Sequence, residues 1–240
     1  MTPARPTRHT TLSGLPPGYE LFIVALSIFS IGNVVIVLGP FDQDTKAVAL
    51  IIDVVLSLIF LADFFLRLSR SHPRRVYFID HEGWLDLLGS LPFPLFRLLR
   101  LVRVTKAIRR IRAMGGRRVV RAVIRERAQS ALLLATFLVI VIMEVGSILV
   151  VAAERGAPNA NITTGGDALW WSLVSVTTVG YGDKFPVTAL GRLIGSVMLI
   201  TGVGLFGVFT GYIARVFLTP RSEDNPEAAE IAALDKIEDE

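Results

Sequence analysis

Apolar residues fall along this chain in long runs separated by short charged intervals. The runs near 19–39, 46–68, 130–153 and 188–218 each reach the roughly 20 apolar residues that carry a helix across a bilayer. Residues 78–95 and 96–114 are weaker candidates, because each carries charges or prolines. Between the last two clear runs lies a helical stretch, 167–176, that contains Trp170-Trp171 and is too short to span. The pattern predicts an all-α membrane protein with six transmembrane helices and one re-entrant helix. Composition agrees, since 52% hydrophobic residues and a mean hydropathy of +0.57 exclude an ordinary soluble domain. Arg5 and Arg8 precede the run from Tyr19 to Leu38, but no small-residue cleavage site follows, so a retained span is expected rather than a signal peptide. The chain has no cysteine and therefore no disulfide framework.

The net charge of +4 acquires meaning from its placement. Lys and Arg concentrate in 67–75 and 97–127, whereas the 40–46 loop and the segment after Val151 carry few. The positive-inside rule then sets the N-terminus (1–18), the 69–82 loop, the 115–129 linker and the tail (219–240) in the cytoplasm of a multi-pass cell-membrane protein. The loop that follows residue 176 is left on the outer side.

Arg97, Arg100, Arg103, Lys106, Arg109 and Arg112 recur at every third position among Leu, Val and Ile. At the bilayer centre each such charge costs about 2.5–3.5 kcal/mol on insertion scales, so this face needs carboxylate partners or water. Asp53 and Asp63 on the second run, with Phe60 between them, and Asp86 early in the third supply acids. Together they describe a voltage sensor spanning 19–114. A basic helix lying on anionic lipid or reaching nucleic acid is the simpler alternative, but such helices do not come with buried acids on two preceding spans. No nucleic-acid partner is expected. Arg110, Arg117, Arg118, Arg121, Arg125 and Arg127 break the three-residue spacing. The later ones, beyond Gly115-Gly116, form a cytoplasmic linker with Val119, Val120, Val123 and Ile124 as its apolar face, where anionic lipid is an expected partner.

The run Thr177-Thr178-Val179-Gly180-Tyr181-Gly182-Asp183 contains TVGYG, the composition of a potassium selectivity filter. Successive carbonyls face one side only if alternate residues take left-handed angles, which glycine reaches without steric cost. Gly180 and Gly182 stand at alternate positions, Val179 and Tyr181 turn away from the pore, and the Thr178 hydroxyl adds an inner oxygen. Thr178, Val179, Gly180, Tyr181 and Gly182 are the candidate ion-binding residues. No other cofactor and no covalent chemistry are expected.

On these motifs the chain resembles the voltage-gated potassium channels, particularly the short prokaryotic members, over nearly all of Tyr19–Leu218. The resemblance implies a homotetramer in which a voltage-sensor domain (19–114) precedes a pore domain (130–218). It implies that Phe60, Asp63 and Asp86 form an occluded site passed by the basic side chains, with Asp53 as a further partner. Trp170 would hydrogen-bond Asp183, Trp171 would support Tyr181, Glu154 would brace the outer pore, and Gly202 would be a hinge in the last span. Phe185 would stand where external quaternary ammonium blockers bind, or pack at the rim. The last span lacks the animal Pro-x-Pro kink, and close packing is an equal account of Gly204 and Gly207. Glu144, an acid the family does not predict mid-span, has two open readings: a pair with a sensor arginine, or a hydrogen bond inside the pore domain. Asn161-Ile162-Thr163 fits a glycosylation sequon that is without meaning in a prokaryote. Three rivals stand beside voltage gating: the same pore gated by lipid, ligand or pH with a static sensor, a secondary transporter, and a basic membrane-tethered binding protein.

Overall fold

The computed structural model describes residues 15–70, 83–90, 115–125 and 127–218, with isolated positions 99, 102, 104, 105, 108, 109 and 112 between them. It is all-helical over these residues. The helices are α1 (Pro17–Leu38), α2 (Gln43–Arg70), α3 (Gly83–Leu88), α4 (Gly116–Arg125), α5 (Arg127–Glu154), α6 (Gly165–Val176) and α7 (Ala189–Leu218). Of these, α1, α2, α5 and α7, with 22, 28, 28 and 30 residues, are long and apolar enough to cross a membrane. They coincide with the four clear runs. The two weaker spans fall mostly outside the described residues, as do Arg97, Arg100, Arg103, Lys106 and the side chain of Asp86. Arg109 and Arg112 are described and exposed.

Local chemistry sets the helix ends. Pro17 opens α1 at its first position, where the missing N–H is no loss. Thr164 and Asp167 form a reciprocal capping box at the start of α6, which begins two residues earlier than its apolar run suggests. Thr188 accepts the Gly191 N–H through its hydroxyl at 2.9 Å and so caps α7.

Two apolar clusters hold the helices together. Phe22, Ile23, Leu26, Val48, Ile52, Leu56 and Phe60 of α1 and α2 meet Ile140 of α5 and Leu169 of α6 in one core. Val150, Val151, Ile162, Ala168, Trp171 and Met198 form the second, which seats α6 between α5 and α7. A Cβ on Gly146 would run into the Met198 side chain, and one on Gly202 would stand 3.1 Å from the Val176 backbone. These two glycines set how closely α7 approaches α5 and the end of α6. By contrast, a Cβ added to Gly204, Gly207 or Gly211 would meet nothing within 4 Å among the described residues beyond its own helix backbone and chain neighbours.

Polar side chains are buried among the spanning helices. Arg67 pairs with Glu20 and with Asp63, each at 2.8 Å, with all three nearly inaccessible. Tyr19 donates its hydroxyl to Asp63 at 3.0 Å. Ser30 donates to Asp53 at 3.2 Å, and Asn33 donates its amide to Glu144 at 3.1 Å. In hydrocarbon each of these groups would otherwise be unsatisfied, so the contacts register α1 against α2 and α5 as well as neutralise charge. Among the described residues Glu144 thus takes an amide of the first helix as its partner, and most of the basic residues of the 97–112 stretch lie outside the described residues.

Candidate functional site

The loop from Thr177 to Thr188 is assembled on the C-terminal end of α6. The N–H groups of Val179 and Gly180 both point back to the Val174 carbonyl, at 3.0 and 3.2 Å, and that of Thr178 to Ser175 at 3.1 Å. Thr178, Gly180 and Gly182 take φ values of 61°, 59° and 78°. The alternation therefore starts one step earlier than the glycines alone indicate. For the β-branched Thr178 it costs about 1–2 kcal/mol, which the bonds to the helix end must offset. Among the described residues, no hydrogen-bond donor reaches the carbonyl oxygens of residues 177–182. Backbone carbonyls left in this state require water or a cation.

Trp170 carries two contacts to this loop. Its indole N–H donates to Asp183 at 2.7 Å, and its ring stacks on Tyr181 at a centroid distance of 5.9 Å and 7° between planes. Trp171 instead lies 6% exposed in the cluster with Met198, against Gly195 of α7. Within one chain, then, Trp170 backs the Tyr181–Asp183 loop and Trp171 secures α6. Ser172 assists at the same level, sharing a 2.8 Å hydroxyl contact with Ser147 of α5.

Glu154, 1% exposed at the end of α5, receives Val187 N–H at 2.9 Å, Thr188 N–H at 3.0 Å and the Thr188 hydroxyl at 2.7 Å. A carboxylate here meets unpaired amides and the positive end of the α7 dipole. A Cβ on Gly191 would run into the same carboxylate, so glycine is required in that first turn.

A second strap on the outer loop was not legible in the sequence. Asn161 donates to the Asp183 carbonyl at 3.3 Å and accepts the Phe185 N–H at 3.1 Å, while its own carbonyl accepts from Lys184 at 2.7 Å. Lys184 also pairs with Asp167 at 2.9 Å. Phe185, half exposed, is thereby fixed through its backbone. Partial burial pushes the Asp167 carboxyl up, but its bonds from Lys184, Thr163 and Thr164 outweigh that and hold it below the usual range. The α1–α2 loop reaches this end of the helices too. Arg155 pairs with Asp42 at 2.7 Å and Asp44 at 3.6 Å, and Asp44 accepts the Gly165 N–H at 3.2 Å.

The remaining sequence candidates lie elsewhere. Asp53, Phe60 and Asp63 are fully or nearly buried on α2, with Asp63 held by Arg67 and Tyr19. Gly202 sits within an unbroken α7.

A short helix that ends in a loop of carbonyls, unbonded among the described residues, between two helices long enough to cross a membrane is the build of an ion-conducting membrane protein. The pattern defining the ion transport protein family matches residues 17–223, and the chain belongs to that family. The likeness to voltage-gated potassium channels holds among its relatives. A voltage-gated potassium channel of Aeropyrum pernix is 38% identical over 72 residues, covering 30% of this chain and 24% of that protein. The calcium-gated potassium channel TvoK of Thermoplasma volcanium is 34% identical over 84 residues, 35% of this chain and 24% of that protein. The human voltage-gated potassium channel regulatory subunit KCNG3 is 30% identical over 126 residues, 51% of this chain and 29% of that protein. The matches thus span between about a quarter and a third of these relatives' lengths.

Proposed function

We propose that four copies of this chain form a potassium-selective channel. The observation that carries the proposal is the Thr178–Gly182 backbone, with alternating left-handed residues and carbonyls that no donor among the described residues reaches. Four such loops around an axis make stacked rings of oxygens that replace the hydration shell of potassium. Thr178, Val179, Gly180 and Tyr181 supply the carbonyls and Thr178 an added hydroxyl. Trp170, Asp183, Glu154 and Asn161 keep the rings from collapsing or spreading. Exposed Val179, Tyr181, Leu193, Val197 and Ile200 supply apolar surface that neighbouring copies and lipid would cover. The negative end of the α6 dipole meets the chain where the Thr178–Gly182 loop begins and favours a cation there.

In this reading residues 19–114 form a four-span sensor, 115–129 the linker and 130–218 the pore, giving six spans. Arg97, Arg100, Arg103, Lys106, Arg109 and Arg112 carry the gating charge past Phe60, Asp63 and Asp86, with Asp53 as an outer partner. Each charge crossing the whole field gains about 2.3 kcal/mol per 100 mV, so several charges in four subunits bias a gate steeply. Gly202 is the point at which α7 bends. The alternative is a pore of the same build with a static sensor, opened by a ligand, lipid or pH. It draws support from the relative described as calcium-gated. Recording purified protein in a bilayer under voltage steps separates the two. An open probability that changes steeply with voltage supports the sensor, and a flat one with preserved potassium selectivity supports the alternative.

A further inference from the structure

The α1–α2 pair follows α5 and α6 of the same chain from one end of the helices to the other. A Cβ on Gly18, in the first turn of α1, would stand 3.0 Å from the Ser130 hydroxyl in the first turn of α5. Phe29 then meets Phe137 edge-on at a centroid distance of 6.1 Å, and Asn33 reaches Glu144 at 3.1 Å. Beyond the helix ends Asp42 pairs with Arg155 at 2.7 Å, and Asp44 accepts the Gly165 N–H that opens α6. Contacts that advance together on both helices make α1 and α5 parallel neighbours along one continuous seam. The seam is closed: Ile23, Leu26, Val48 and Leu56 are at most 1% exposed, and Leu169 of α6 lies in the same core. A Cβ on Gly165 would run into the Asp44 backbone, so glycine is what lets α6 approach this closely. Parting the seam would strand the Asn33 amide and the Glu144 carboxyl in hydrocarbon, away from water. The surfaces left bare are different ones, with Val145 and Leu149 of α5 and Leu193, Val197 and Ile200 of α7 exposed.

We infer that in the four-copy assembly proposed above, on which this inference rests, α1 and α2 clamp α6 of their own chain, while neighbouring copies meet through α7 and the bare side of α5. The foot of the seam is held within the chain as well, since the Ser130 hydroxyl donates to the Val123 carbonyl of α4 at 3.3 Å. The clamp bears on the Thr178–Gly182 loop by a short route. Ser147 follows Glu144 by one turn of α5 and shares a 2.8 Å hydroxyl contact with Ser172 of α6. Ser172 stands just before Val174, whose carbonyl holds the N–H groups of Val179 and Gly180. A shift of α1 and α2 therefore reaches that loop without passing through residues 115–129.

The chain has no cysteine, so introduced thiols read the arrangement without background. Full-length chains with Asp42→Cys and one affinity tag are co-expressed with chains carrying Arg155→Cys and another. The protein is purified through both tags and treated with a short bifunctional methanethiosulfonate, which reaches both exposed positions. No covalent pair of the two tagged chains is expected. Asp42→Cys/Arg155→Cys within one chain should instead link, giving an internally bridged peptide by mass spectrometry in a band of single-chain mass. Two-tag dimers, or a double variant that does not bridge internally, overturn the inference. Bridging should also change the decay of sustained potassium current several-fold with selectivity kept, and an unchanged decay overturns the route to the Thr178–Gly182 loop. Tags that do not copurify, or potassium current absent before bridging, count against the four-copy channel instead, and the internal bridge still reads the clamp.

Discussion

Removing the Glu154 carboxylate should loosen the α5–α7 junction more than any other single change there. The side chain is 1% exposed and accepts three hydrogen bonds, two of them from the backbone N–H groups of Val187 and Thr188. In Glu154→Ala those amides lose their acceptor. Each orphaned buried donor costs about 1–3 kcal/mol, so the loss should be about 3–5 kcal/mol per subunit. Glu154→Gln should cost less, about 1–3 kcal/mol, because one amide oxygen remains while its NH2 faces a donor. Gly191→Ala supplies an independent check, since its Cβ would strike the same carboxylate. It should destabilise the native protein yet cost less in the Glu154→Ala background, where the nearest obstruction is gone and only the Thr188 hydroxyl and Pro186 remain close. Thermal unfolding in detergent, read by tryptophan fluorescence, measures all four proteins. Glu154→Ala with native stability, or additive effects in the double variant, would refute the brace.

Trp170→Phe keeps a ring over Tyr181 but deletes the 2.7 Å bond to Asp183. Selectivity should persist while currents decay faster on sustained opening, and unchanged decay would show that the bond does not steady the filter. Asn33→Leu and Glu144→Leu should each cost about 2–4 kcal/mol by stranding a buried polar partner, whereas the double variant should recover much of the loss in chemical-denaturation midpoints. At the outer rim, the Thr45 backbone and hydroxyl, followed by Arg155, hold the Asp42 carboxyl well below its ordinary value near 3.9. The stabilisation from a depressed carboxyl is complete above the ordinary value and lost only as pH falls through the folded one. The difference in melting temperature between native protein and Asp42→Asn should therefore stay constant from about pH 8 to pH 5 and shrink below about pH 4.

The four helices long enough to cross a membrane and the short α6 were legible because apolar length and a capping pattern are local signals. Their ends were less so. α5 begins at Arg127 rather than 130, since Arg, Ala and Gln continue a helix well outside hydrocarbon. In the filter, glycine spacing marked Gly180 and Gly182, but Thr178 joins them against its own steric preference because the end of α6 binds the amides on either side. Glu154 and Asp183 were found by resemblance. Asn161, Lys184 and Asn33 were not found, because their partners are remote in sequence and a polar residue in a loop or span gives no periodic cue. The Glu20–Arg67 pair, 47 residues apart, escaped for the same reason. Sequence marked acids in the membrane as informative, yet only packing says which cation or amide each one meets.

The central claim is tested most directly by the reversal potential of single-channel currents from purified protein in a planar bilayer, with potassium on one side and sodium on the other. The account predicts discrete unitary currents reversing far from zero, with the sign for potassium-selective flux. It also predicts that Gly180→Ala, which puts a Cβ at φ 59°, abolishes that selectivity. Unitary currents that reverse near zero, or a Gly180→Ala protein that selects potassium as before, would contradict it.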